Sequence, residues 1–381
     1  MDENDNRRLR PTEMTDDDER EAKRIRLDKA DMLTPTTIFD SKGDLYLVVG
    51  SDICDDPSTF LVCSKALARA SPVFDKMLFG PFAESRPTAE TSKQGPAWIV
   101  HLPEDEPAHL EVVLNILHSN FKNVPSKFPS PLLSGMVTIA EKYDCIESFR
   151  PWVNSCIPGL DPDDKHDPRF SLHVAWQLGS IYNFKKALSM IVDASFISEG
   201  GQISIIPRAA PNSGEGKAAS VKEPQDLDKY LGDLVPAEVV EQIKAYRTKL
   251  IDAAMEPYVA LHDELATGQP RCSYPYSSEK CDSILLGSLI RTFSRRAMGS
   301  PTTDAIQRYC GTFVDLQKSL DSVQLLKSDQ CRSSSACCRD IEDKRKQSCQ
   351  YQDFEKRSEA IVLSPEQKER LDRQAIKCGV L

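Results

Sequence analysis

The chain has 381 residues, 40% apolar and 28% charged, with a net charge of -10. That length holds two domains and crowds a third, and the acidic balance argues against broad electrostatic binding to nucleic acid, which needs a Lys/Arg excess on one face. No window approaches the ~18 uncharged apolar residues of a membrane span, and residues 1–30 are too charged for a secretory signal, so the expectation is an intracellular chain, in cytoplasm, nucleus or both.

Residues 1–40 read as a disordered, charged tail that cannot bury enough surface to offset its ordering entropy. Its two basic clusters, Arg7-Arg8-Leu9-Arg10 and Lys23-Arg24-Ile25-Arg26, are open to two readings, a nuclear import signal or a solvated mixed-charge tail. Residues 43–63 predict a hairpin. Its first strand, Leu45-Tyr46-Leu47-Val48-Val49, lacks polar alternation, which predicts cover on both faces. Asp55-Asp56-Pro57-Ser58 is turn chemistry, and Thr59–Cys63 is the second strand. Ser64 is placed to cap the helix that follows, and Pro72 suits the first turn of the next, which carries Val73, Phe74, Met77 and Leu78. After a polar loop over 83–96 come a third strand, 97–102, and three helices. The first bears Leu110, Val113, Leu114 and Leu117; the second Leu132, Met136, Ile139, Ala140 and Tyr143; the third Ile146, Phe149, Val153 and Cys156. Residues 41–158 thus form one α+β domain, helices with a small sheet.

This element order resembles a BTB/POZ domain of the fungal type. The resemblance rests on Asp44-Leu45 and the strand to Val49, Phe60-Leu61-Val62, Lys65-Ala66-Leu67, Ser71-Pro72-Val73-Phe74, Met77-Leu78, the Leu110–Leu117 helix and Ile139-Ala140-Glu141-Lys142-Tyr143-Asp144. One departure is Cys63, where the family often has His. The resemblance implies a non-catalytic protein-interaction module. Many members homodimerise through the first helix with help from a segment ahead of the first strand, here residues 31–42, which is short for a full helix plus a swapped strand. It also implies a role as substrate adaptor of a cullin-3 ubiquitin ligase. Members that do this carry a hydrophobic-x-Glu motif after the second helix, where this chain has Phe82-Ala83-Glu84. Phe79, Phe82 and Glu84 are therefore the expected partner-binding residues, the alternative being a Phe82 folded back on the core beside a solvated Glu84.

Beyond the domain, residues 168–198 read as a helical extension of two helices joined by the short Gly179-Ser180-Ile181-Tyr182-Asn183 link, with Leu172, Ala175, Trp176 and Gly179 on one face of the first and Phe184, Ala187, Leu188 and Ile191 on one face of the second. Residues 199–225 read as a flexible insert rich in Gly, Ser and Pro. Residues 226–381 read as mainly helical: a long helix opened by Pro236 and expected to kink or break at Pro257, one over 281–297, one over 303–326 with Gly311 as a weak point, and a tail helix after Ser364-Pro365-Glu366.

No array of catalytic residues, phosphate loop or dinucleotide fingerprint is present, so the expectation is no enzyme and no cofactor. Twelve cysteines include Cys272, Cys281, Cys331, Cys337, Cys338 and Cys349 late in the chain. None of these lie in the close C-x₂₋₄-C pairs of structural zinc sites, so unlinked thiols are expected ahead of metal ligands or disulfides. Three functional expectations stand: a self-associating interaction scaffold, a cullin-3 adaptor, and a transcriptional regulator acting through protein contacts.

Overall fold

The computed structural model describes residues 34–86, 97–156, 167–208, 223–268, 278–296, 298–326 and 353–380. It divides into a sheet unit, residues 1–69 with 74–107, and a helical unit, residues 70–73 with 108–381.

The sheet unit holds β1 (Thr37–Ile38), β2 (Leu45–Val49), β3 (Ser58–Val62) and β4 (Ile99–Leu102), in the order β1-β3-β2-β4. The central pair is the expected hairpin, antiparallel from Leu45 opposite Val62 to Val49 opposite Ser58, and the two outer strands pair in parallel. Leu45, Leu47, Val48 and Val49 are buried, which accounts for the missing alternation: a strand covered on both faces has no solvent side on which to place polar residues. Gly50 then turns the chain at φ +81°, a conformation that favours glycine.

Two local expectations change. Ser64 does not cap a helix from outside. It is the first residue of α1 (Ser64–Ala70), and its N–H and Oγ–H both donate to the Asp44 carboxylate, at 2.9 and 2.8 Å. Residues 34–40, expected to belong to the tail, are instead part of the fold: Thr36 and Phe39 donate their N–H groups to the Thr59 and Leu61 carbonyls, and the Phe39 ring stands edge-on to Phe60. Residues 1–33, with both basic clusters, lie outside the described residues. Helix α2 (Pro72–Phe79) buries Phe74 and Leu78, while Val73 is exposed and Met77 half-buried.

The helical unit begins with α3 (Pro107–Leu117) and α4 (Ser130–Lys142). Ser71 Oγ donates to the Tyr143 carbonyl at 2.5 Å just past the end of α4. The single helix expected over 146–156 is a 3-10 stretch, Ile146–Trp152, then α5 (Val153–Cys156). Pro151 lies in the 3-10 stretch, where it has no N–H to give to an α-helical ladder. Helices α6 (Pro168–Leu178) and α7 (Ile181–Ala194) form the expected pair, with Gly179 at φ +81° between them and Trp176 against Phe184.

The insert expected over 199–225 contains regular structure. β5 (Phe196–Ile197), β6 (Ile203–Ile205) and β7 (Gln225–Asp226) form a three-stranded antiparallel sheet, and only 209–222 of that insert lie outside the described residues. After α8 (Leu227–Leu231) comes α9 (Ala237–Thr267), which runs through Pro257 without interruption. Buried Ala254, Tyr258 and Leu261 flank Pro257, and their packing offsets the one missing donor. Then follow α10 (Ser278–Arg295), α11 (Thr303–Gln307) and α12 (Phe313–Asp321), the last two separated at Gly311 as the glycine suggests. Helices α13 (Phe354–Glu359) and α14 (Pro365–Cys378) complete a mainly helical C-terminal region. The architecture is α+β, a small mixed sheet with helices and a helical C-terminal region. Among the described residues no helix is long and apolar enough to cross a membrane.

Candidate protein-docking site

The exit from α2 is built to hold a loop in one shape. Gly80 N–H donates to the Lys76 carbonyl at 2.8 Å and closes the helix. The Ser85 hydroxyl then lies against the carbonyls of Gly80 and Met77 and accepts from Phe82 N–H at 3.2 Å. Ser85 N–H donates back to the Phe82 carbonyl, and Arg86 N–H to Leu78. One serine thus closes a tight turn in which Pro81, Phe82, Ala83 and Glu84 all face solvent.

A second anchor comes from the segment leading to β4. Trp98 is 9% exposed, donates its indole N–H to the Glu84 carbonyl at 2.9 Å, and meets the Phe79 ring edge-on at 6.0 Å. The loop backbone is therefore held from both sides while its side chains point out. Phe79 is 44% exposed and Phe82 55% exposed. Phe82 does not fold back on the core. Two aromatic faces and the Glu84 carboxylate share this surface, a combination suited to an apolar anchor with a polar rim. The sequence carried no signal for the two supports. Ser85 looked like loop composition, and Trp98 is joined to Glu84 only through the fold.

Among its described residues the helical unit contains a pair with the outline of nucleophile and base: Ser134 Oγ lies 2.8 Å from His173 Nδ1. Both residues are buried, and His173 Nε2 faces the Gln177 amide at 3.4 Å, where a triad would place a carboxylate. Burial, helped by the charge of Arg370, pushes the His173 pKa down to about 4, so the ring is neutral at pH 7. Burial likewise raises the Cys145 and Cys156 thiols to about 12, which keeps them protonated, and raises the Tyr230 hydroxyl, which donates to Asp167. Among the described residues no group of His, Cys, Asp or Glu is placed to hold a metal ion. Cys281 is buried, and Cys272, Cys331, Cys337, Cys338 and Cys349 lie outside the described residues.

Compared with family models, with curated proteins and with solved structures, the chain matches none of them.

Proposed function

We propose that this chain is a non-catalytic protein-interaction scaffold that self-associates and acts through its BTB/POZ-like N-terminal domain. The observation that supports this reading is the Phe79–Arg86 turn. Two aromatic side chains are held at the surface by Ser85 and Trp98, although burying Phe82 alone would be worth about 1.5–3 kcal/mol. An apolar side chain kept out of the core on a fixed backbone meets a partner with little ordering cost.

The same turn favours a second, narrower reading, recruitment of cullin-3, because Phe82 and Glu84 follow the second helix and both side chains are free to reach a partner. Two measurements test these readings. Sedimentation over a concentration series should show a dimer; a strict monomer at high micromolar concentration overturns self-association. Pulldown with the cullin-3 N-terminal region should succeed with wild type. Phe82→Ala/Glu84→Ala should weaken it by about 30-fold or more, the loss expected of a hot spot. Equal capture of both proteins would remove this contact, and no capture of wild type would remove the adaptor role.

A further inference from the structure

We propose that a groove along α9 docks a basic amphipathic helix of a partner protein. The groove encloses about 1020 Å³ and lies wholly within the helical unit. It follows one face of α9 from Ala245 to Asp263, about 27 Å at the rise of an α-helix, longer than a small ligand needs. Its apolar lining comes from Ile197, Ile251, Val259 and Ile306.

The rim is acidic. Asp252, Glu256 and Asp263 stand exposed along α9, and one exposed base, Lys249, precedes them on the same helix toward the Ala245 end. Asp263 contacts its neighbour His262 at 3.0 Å, while Asp252 and Glu256 have no hydrogen-bond or ion-pair partner among the described residues. An apolar floor under exposed carboxylates complements a helix with leucine-like residues on one face and Lys or Arg beside them.

The walls are already in place. The buried Arg247 guanidinium donates to the Gly311 carbonyl at 2.8 Å and to the Ser195 carbonyl at 3.4 Å, tying α9 to the chain before β5 and to the loop before α12. Ile197, the strand residue in the lining, gives its N–H to Cys310 at 2.8 Å. An extended peptide therefore finds that amide already used, whereas a helix satisfies its own backbone. The groove uses none of the residues of the Phe82 turn and does not rest on the reading of that turn.

The test uses the full chain and a fluorescein-labelled 18-residue helical peptide, leucine and alanine on one face and lysine on the other, with a twin carrying glutamate for lysine. Anisotropy titration should show saturable binding of the lysine peptide only. Asp252→Lys/Glu256→Lys should weaken it about tenfold, while Asp55→Lys/Asp56→Lys, an equal charge change at exposed positions of the sheet unit, should not. Equal losses in the two reversals would reduce the effect to net charge and overturn the proposal. Equal binding of the glutamate twin, or no saturation at high micromolar peptide, would also overturn it. If the Asp252/Glu256 reversal instead splits a dimer of the unliganded chain, the occupant is a second copy and the proposal fails. Phe82→Ala/Glu84→Ala should bind the lysine peptide like wild type, so failure here and failure at the turn are distinguishable.

Discussion

His173 and Asp193 are both buried, and burial moves their pKa values in opposite directions because it disfavours the charged form of each. His173 is held down to about 4, from an ordinary 6.5, by burial and by Arg370. Asp193 is raised from 3.8 to about 6 by burial, although Arg357 at 2.7 Å pulls the other way. The signs follow. The folded state refuses a proton at His173, so stability is lost as pH falls from 6.5 towards 4. It holds a proton at Asp193, so stability present below 3.8 is lost as pH rises through 6. Between about pH 4 and 6 the two slopes oppose each other in the wild type. Relative to wild type, His173→Gln should therefore lose stability as pH rises across this window, and Asp193→Asn should gain it, each by up to about 3 kcal/mol. Urea unfolding at a series of pH values reads this directly. Asp193→Asn also leaves Arg357 without its counter-charge, which lowers the level of its curve and leaves the slope to His173. Slopes of the same sign in both variants would refute the assignment.

At the scale of elements, α14 shows how a helix can be legible while its landing place is not. Its start is written in Ser364-Pro365-Glu366, and the structure completes a capping box: Ser364 Oγ accepts from Gln367 N–H, and Gln367 Oε1 accepts from Ser364 N–H. Ser364→Ala should cost about 1 kcal/mol in denaturant unfolding. Its landing place depends on Gly179, nearly two hundred residues earlier by sequence number. A Cβ there would overlap backbone atoms of Leu371 and Ala375, and φ is +81°. The bare glycine lets α14 lie directly on the end of α6. Arg370 then reaches over the Trp176 ring at 4.8 Å, Gln374 donates to Glu141 at 3.1 Å, and Lys377 pairs with Asp144 at 3.2 Å. Gly179→Ala combines a strained backbone with a backbone clash, so it should cost about 2 kcal/mol or more. Hydrogen exchange should accelerate across 365–378. Unchanged protection there would show that α14 does not need this contact.

At the scale of the whole chain, the parts legible in the sequence were those written in local pattern: the β2–β3 hairpin, the α6–α7 pair, the start of α9 at Pro236 and the break at Gly311. β1 and the β5–β6–β7 sheet were not, because strands of two or three residues carry too little periodicity and exist only through pairing with distant chain. The Phe82 turn was found by position, but its supports, Ser85 and Trp98, become visible only in three dimensions. The same holds for the role of residues 353–380, which read as a tail. Arg357 is buried between the Phe313 and Phe354 rings and paired with Asp193, Tyr246 Oη donates to the Arg357 carbonyl, and Ile361, Leu371 and Cys378 are buried. These contacts engage α7, α9 and α12, so the segment completes the core of the helical unit. Burial of Ile361 and Leu371 contributes about 3–6 kcal/mol, and the stranded charge of Asp193 adds to the loss, against a total of about 5–15 kcal/mol for an ordinary domain. A chain ending at residue 352 should therefore lose cooperative unfolding of the helical unit. Exchange protection should collapse across 168–194, where the removed helices packed, and the truncated protein should bind a hydrophobic dye. A truncated chain that keeps the full-length unfolding midpoint and the protection of α6 and α7 would show that residues 353–380 only decorate a core complete without them.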